Sequence, residues 1–227
     1  MGKLQIFSRS GEMFRDRGEA GRLLGNALKS LAGKNDIVVG IPRGGMVVAS
    51  ALAQTVEADL DLILSRKLGA PGNEELAIGA IGEHGDLYID EDLVQHLGVD
   101  TAYLETVKQR QSEEIARRQT LYRRVLPKLP LKGRIVCLTD DGIATGATFQ
   151  AALWAIRQEQ PKKLLAAIPV GPKETVERLA KDADQMLCLK SPPYFDAVGR
   201  FYRHFDQVDD DDLLDILRME QTRRKRP

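Results

Sequence analysis

Net charge is the first thing this sequence lacks: 33 basic and 33 acidic side chains cancel over its 227 residues. A balanced chain has no global attraction to nucleic acid or to an anionic membrane surface, although a local basic pocket remains open to it. Cysteine is scarce as well. Cys137 and Cys188 each sit in an apolar run, "RIVCL" and "QMLCL". That placement points to buried, reduced thiols in strands rather than to a disulfide or a metal pair. His84, His96 and His204 are scattered without metal-ligand spacing. No apolar run is long enough to span a bilayer, and no N-terminal stretch has the pattern of a signal peptide, so the expected location is cytoplasmic. Internal repeats and low-complexity tracts are absent too, so residues 1–227 are read as one domain.

What is present is a regular alternation. Ala20, Leu23, Leu24, Ala27, Leu28 and Leu31 recur at helical spacing, with Gly33 placed to end the helix. "DIVVGIP" reads as a buried strand, "RGGMVVASALAQTV" as a helix and "DLDLILSRK" as the next strand. "LGAPGNEELAIGAIGEHG" reads as a long glycine-containing connection, with a short strand at "AIGAIG". From Asp100 to Arg124 the chain is helical and charged. Leu104, Val107, Ile115 and Leu121 form a thin apolar stripe, which suits a surface helix or one resting on a partner subunit. "LPKLPLKG" is a proline-bounded linker. After it come a strand at "RIVCLTD", a helix from Gly146 to Glu159, a strand at "KKLLAAIPVG", a helix from Pro172 to Lys181 and a strand at "QMLCLK". The aromatic-rich "SPPYFDAVGRFYRHFDQVDDDD" reads as irregular. A short helix from Asp212 to Met219 follows, with Asp209 to Asp212 as its acidic N-terminus, and then a solvated basic tail, "RRKRP". Strands alternating with helices imply βαβ units, a parallel sheet, and a ligand site beyond the carboxyl ends of the strands.

Three strands end in polar or glycine-rich loops: "PRGG", "SRKLGAPGNEE" and "TDDGIATGAT". In the last, Thr145, Gly146, Ala147 and Thr148 sit where a strand hands over to a helix. Helix N-termini present unpaired N–H groups and a positive dipole end, and small residues let an anion approach, so this stretch is a candidate phosphate cradle. It is not a Walker A loop, because the spacing differs and no lysine precedes the threonine. Asp140 and Asp141 accept hydrogen bonds only when ionised. An isolated pair of this kind is most simply a turn cap with a solvated neighbour. Beside a phosphate cradle the natural partners are sugar hydroxyls or a hydrated Mg2+, and phosphate plus hydroxyls describe a ribose 5-phosphate.

"IVCLTDDGIATGATFQAAL" resembles the phosphoribosyl pyrophosphate (PRPP) motif of type I phosphoribosyltransferases, in which an apolar strand leads into two acidic residues and a T-G-x-T loop. "PRGG" resembles that family's pyrophosphate loop. "SRKLGAPGNEE" resembles its Arg-Lys strand end and mobile loop, and "SPPYFDAVGRFY" its C-terminal hood. The resemblance covers most of the chain except an insert at about 90–124. It implies an α/β type I phosphoribosyltransferase fold: a Rossmann-like central parallel sheet flanked by helices, with a small hood and C-terminal helix from residues 191–219 and the tail at 220–227.

The resemblance also implies roles. Asp140 and Asp141 would hold the ribose hydroxyls, and Ala144, Thr145, Gly146, Ala147 and Thr148 the 5-phosphate. Arg43, Gly44 and Gly45, in a loop that in this family often contains a non-proline cis peptide, would take the pyrophosphate with Arg66 and Lys67. Mg2+ is the implied cofactor, bound through PRPP and water with Asp140 or Asp141 as a contributor and no all-protein cage. The loop from Leu68 to about Gly82 would close over the site, with Glu74 or Glu75 as a proton acceptor. Tyr194 and Phe195 are candidates for stacking on the acceptor, alongside Phe201 and Tyr202; core packing is the competing use of all four. The implied partners are PRPP, a nucleobase or similar nitrogen nucleophile, and a second copy of the chain in a homodimer.

Two departures matter. Ala144 stands where the 6-oxopurine enzymes carry an aspartate, which argues against a hypoxanthine or guanine acceptor. The hood has Arg203 rather than an aspartate near the pyrophosphate. The expected activity is transfer of 5-phosphoribosyl with release of pyrophosphate. The alternative is a regulator that binds PRPP without turnover.

Overall fold

The computed structural model of the chain describes residues 3–28, 36–83, 85 and 87–225. The expected helix end at Gly33, His84 and the last two positions of the tail lie outside these residues, as does the side chain of Glu75. In chain order the elements are β1 (Lys3–Ser8), α1 (Arg17–Leu28), β2 (Ile37–Gly40), α2 (Gly44–Val56), β3 (Asp59–Leu62), β4 (Ser65–Ala70), β5 (Asn73–Gly82) and β6 (Leu87–Ile89). They continue with α3 (Glu91–Leu97), α4 (Thr101–Tyr122), β7 (Ile135–Thr139), α5 (Ala147–Gln158), β8 (Lys163–Val170), α6 (Lys173–Leu179), β9 (Gln185–Lys190), a 3-10 turn (Val198–Phe201) and α7 (Asp210–Arg224).

Six strands form one parallel sheet in the order β1-β9-β8-β7-β2-β3. Its inner strands are apolar throughout because both faces are covered. Val38, Cys137, Leu165 and Leu187 point to the layer containing α1 and α2, where Leu24, Met46 and Leu52 are buried. Val39, Val136, Leu138, Ala166 and Cys188 point to the layer of α5 and α6, against Phe149, Leu153 and Leu179. The two cysteines are free and buried, and burial pushes each thiol up to about 12. β1 is absent from the sequence reading. It closes the edge beside β9, with Lys3 opposite Gln185 and Ser8 opposite Lys190.

The stretch from Leu68 to Gly82, expected as a long connection with a short strand at "AIGAIG", is a β-hairpin whose second strand contains that segment. β4 and β5 pair antiparallel from Ser65–Gly82 to Ala70–Asn73, and β6 adds a third strand. Its small residues reflect close packing rather than an absence of structure. Ala77 and Ala80 lie on Ala147, Ala151 and Trp154 of α5, and the Tyr88 ring packs at a tilt with its centroid 4.2 Å from that of Trp154. The base of the hairpin is therefore fixed to the helix that begins at the T-G-x-T stretch. The opposite side is covered by α4. In the insert the expected helix is α4, capped by Asp100, and a short α3 precedes it, capped by Asp90 and ended by Gly98 in a left-handed conformation. Val107 and Ile115 of the expected stripe are buried, within this chain, and the Tyr103 hydroxyl donates to the Gly69 carbonyl at 2.9 Å.

Arg123, just past α4, enters a buried charge network. It reaches Asp61 at 2.6 Å and Glu83 at 2.8 Å, both carboxylates being only 1% exposed. The C-terminal helix is longer than the expected Asp212–Met219. Its N-terminus is acidic as expected, with a capping box between Asp209 and Asp212, but the helix runs on to Arg224. Arg223 and Arg224 are not a free tail. They donate to the Ala58 and Leu60 carbonyls and pair with Glu220, which is buried and accepts from the Leu60 N–H.

Candidate active site

β7 delivers Asp140 and Asp141 to the carboxyl edge of the sheet, one residue past the buried Thr139. The loop between β2 and α2 stands directly beside them, because β2 and β7 are neighbours with Gly40 opposite Thr139. That loop contains a cis peptide bond between Pro42 and Arg43. The two loops touch. A Cβ on Gly45 would lie 2.5 Å from Asp140 Oδ1, and one on Gly44 would lie 2.2 Å from Asp141 Oδ2. Only glycine permits that approach.

The carboxylates are half-buried and face different partners. Asp140 Oδ1 accepts the Asp141 N–H at 2.8 Å. Burial raises the Asp140 carboxyl well above the ordinary range, and the adjacent Asp141 charge adds to the effect. Burial raises Asp141 as well, but Arg17 opposes the shift. Its Nε donates to Asp141 Oδ2 at 2.8 Å, its Nη1 donates to the Asp206 carbonyl at 2.8 Å, and its guanidinium lies 3.7 Å over the Phe205 ring. The Tyr202 hydroxyl donates to the Asp141 carbonyl. Arg17 has no counterpart in the sequence reading. Nothing local to "FRDRGEA" marks it, since its partner lies 124 positions away.

The T-G-x-T stretch opens α5 as expected. Gly146 caps the helix with φ 75°, a left-handed conformation that suits glycine, and offers no side chain to the first turn. Ala144, Thr145 and Thr148 are exposed. α6 braces this turn from behind: Thr175 donates to the Ala144 carbonyl at 3.0 Å and Arg178 to the Thr145 carbonyl at 2.6 Å. A planar trans peptide carries its N–H opposite its C=O, so tying these carbonyls to α6 turns the Thr145 and Gly146 N–H groups away from it. Thr175 and Arg178 were not foreseen. They act through backbone atoms, which leaves no motif.

The basic groups divide. Arg43 lies 3.5 Å from Asp210 at the start of α7, and both are partly exposed. Arg66 and Lys67, on β4, line a cavity of about 480 Å3 between the hairpin and α4 that also reaches Thr148. Glu74 stands at the same cavity, exposed and 3.3 Å from Arg110. The structure therefore brings Asp140, Asp141, Gly44 and Gly45 into contact, links Thr148 to Arg66 and Lys67 through a shared cavity, and places Glu74 beside Arg110 of α4.

In the hood, Phe195 stacks on Phe201 at 5.2 Å and Tyr202 stacks on Phe205 at 5.0 Å. Phe201 and Tyr202 are buried, so both serve packing, whereas Tyr194 is 90% exposed. The hood also takes in the N-terminal segment: the Phe14 N–H donates to the Phe201 carbonyl and the Arg203 N–H to the Phe14 carbonyl, each at 2.8 Å.

Residues 18–202 match the model of the phosphoribosyl transferase domain. The chain belongs to the phosphoribosyl transferase family. It is 44% identical over 206 residues to a protein provisionally named a phosphoribosyl transferase in Mycobacterium tuberculosis strains CDC 1551 and H37Rv, which covers 91% of this chain and 46% of that protein. The chain thus spans about half the length of these curated relatives. TT1426 from Thermus thermophilus matches in structure with a TM-score of 0.87 at 44% identity, covering 91% of this chain and 98% of that one. The phosphoribosyl transferase match begins one residue after Arg17 and ends at Tyr202, so Arg17 and α7 lie outside it. Among the described residues, no helix is long and apolar enough to cross a membrane.

Proposed function

We propose that this chain transfers 5-phosphoribosyl from PRPP to a nitrogen nucleophile of the nucleobase class and releases pyrophosphate. The observation that supports it most is the contact of Gly44 and Gly45 with Asp141 and Asp140, which places an N–H-rich loop against a hydroxyl-accepting pair at one sheet edge. In this reading the carboxylates receive the ribose hydroxyls, the Thr145–Thr148 turn receives the 5-phosphate, and Arg43, Gly44, Gly45, Arg66 and Lys67 receive the diphosphate.

The chemistry follows from charge. The bond from the anomeric carbon to the diphosphate breaks and its electron pair leaves with the diphosphate, while the ring becomes oxocarbenium-like. The nitrogen lone pair then forms the new bond. Cationic groups fixed on the leaving group stabilise that departure, and the carboxylates fix the ring for in-line attack. Neighbouring carboxylate oxygens fit a hard, hydrated cation, so Asp140 or Asp141 would help to hold Mg2+, whose chemistry is neutralisation of diphosphate charge. Ala144 supplies no proton-transfer group, which favours acceptors other than 6-oxopurines. The hairpin base is packed on α5, so any closure over the site involves its tip around Pro71 and Gly72.

Calorimetric titration with PRPP tests the assignment. Asp141→Asn is expected to lose most of the affinity with the fold intact, and unchanged affinity refutes the site.

A further inference from the structure

The insert helix α4 has no role in the reading above, yet it forms a wall of a crevice that reaches that site. The cavity of about 480 Å3 is lined by Arg66, Lys67 and Thr148 on one side and by Tyr103, Arg110 and Gln111 of α4 on the other. A smaller space of about 60 Å3 shares Ser65, Arg66 and Thr148 with it and extends to Pro42 and Arg118. The crevice thus runs from the "PRGG" loop, past the start of α5, to the insert.

Its charge is unbalanced around Arg66. Arg66 Nε donates to Gln111 Oε1 at 2.8 Å, a neutral acceptor on a side chain that is itself buried. Among the described residues no carboxylate lies within ion-pair distance of Arg66. The acidic groups of the cavity are engaged elsewhere: Glu114 with Arg117 at 3.0 Å and Arg118 at 2.7 Å, Glu74 with Arg110 at 3.3 Å. Burial, and then the like charge of Arg118, disfavour the charged form of Arg66; Glu114 opposes them in part and Arg110 adds to them. A guanidinium held by a neutral amide, with further guanidiniums around it, has its charge-assisted hydrogen bonds free for an anion. The Arg110–Glu74 pair is exposed on both sides, and such pairs contribute little, so Arg110 exchanges partners readily.

We propose that α4 supplies the outer wall of a diphosphate site. Gln111 is a positioning residue that fixes Arg66 by its Nε and leaves both terminal nitrogens for the anion, while Arg110 closes on the anion from the solvent side. The inference rests on the reading of Arg66 and Lys67 as pyrophosphate ligands and assigns two insert residues to the same group.

The test compares inorganic pyrophosphate with ribose 5-phosphate, each titrated calorimetrically with Mg2+ into the full chain. Gln111→Glu keeps the side-chain length and places a negative charge on Arg66; it is expected to weaken pyrophosphate roughly tenfold or more and leave ribose 5-phosphate unchanged. Arg110→Ala, on an exposed position that does not threaten the fold, is expected to weaken pyrophosphate roughly two- to fivefold. Unchanged pyrophosphate affinity in Arg110→Ala, or equal weakening of both ligands in Gln111→Glu, overturns the proposal. A wild-type chain that binds ribose 5-phosphate but not pyrophosphate overturns it while sparing the ribose site. A chain that binds neither ligand removes the functional reading as well.

Discussion

Arg17 and Asp141 form an ion pair at 2.8 Å, with side chains 11% and 17% exposed, across 124 positions of sequence. The pair ties the start of α1 to the end of β7 and opposes the burial that raises the carboxyl of one proposed ribose ligand. Arg17→Gln should therefore let burial act on Asp141 unopposed. Its carboxyl rises further above the usual range, and PRPP binding, which needs the ionised form, should fall off at a higher pH than in wild type. Removing one partner of a mostly buried pair should also cost about 3 kcal/mol in urea unfolding at pH 7. A pH–affinity profile superimposable on wild type would remove Arg17 from this role.

Asp140 makes the opposite case. Its carboxyl is raised by burial and by Asp141, so the native state binds its proton more tightly than the unfolded chain does. Stability therefore falls as pH rises from the ordinary aspartate range through the native value, and the full penalty is present above it. Asn at this position keeps the oxygen that accepts the Asp141 N–H and removes the charge. Asp140→Asn should gain about 0.5–2 kcal/mol at neutral pH while losing ligand binding. Thermal melts with and without PRPP measure both.

Gly45 is the steric counterpart. A Cβ there meets Asp140 Oδ1 at 2.5 Å and Asp140 Cα at 2.9 Å, so backbone as well as side chain must move. Gly45→Ala should cost about 1–3 kcal/mol in chemical unfolding and remove most PRPP affinity. Wild-type affinity in this variant would show that the two loops do not act together.

Much of this arrangement is legible in the sequence. β2, β7, β8 and β9 are apolar because the sheet is buried on both faces, and the loops after β2 and β7 carry their chemistry in contiguous residues. What is missed has a physical reason in each case. β1 alternates weakly at a sheet edge, and its partner β9 is far from it in sequence, with Lys3 opposite Gln185. Gly69, Gly72 and Gly79 suggest an open loop, whereas Gly69 and Gly79 let neighbouring strands of the hairpin approach closely and Ala77 and Ala80 lie against α5. Arg17, Thr175 and Arg178 act on groups distant in sequence or on backbone carbonyls, and neither leaves a local pattern. Arg223 and Arg224 look like a charged tail until the buried Glu220 and the free carbonyls of β3 and its lead-in are placed beside them.

Arg123 carries the clearest purely structural expectation. Burial alone would raise Glu83, but hydrogen bonds and charges from Arg123 and Lys128 outweigh it and hold the carboxyl below the ordinary range. That contribution is present above the unfolded carboxylate value and is lost as pH falls through the native one. Arg123→Met leaves buried Asp61 without its ion-pair partner and Glu83 with Lys128 alone, and should cost about 3–5 kcal/mol at pH 7. The deficit should shrink near pH 4 as Glu83 protonates, so urea unfolding at the two pH values checks it.

The most direct test is turnover. The protein is mixed with PRPP, Mg2+ and a panel of nucleobases and related nitrogen nucleophiles, and pyrophosphate release is followed. The account predicts release that depends on one class of acceptor and is lost in Asp141→Asn. Tight PRPP binding with no release for any acceptor would contradict it and leave a PRPP-binding regulator.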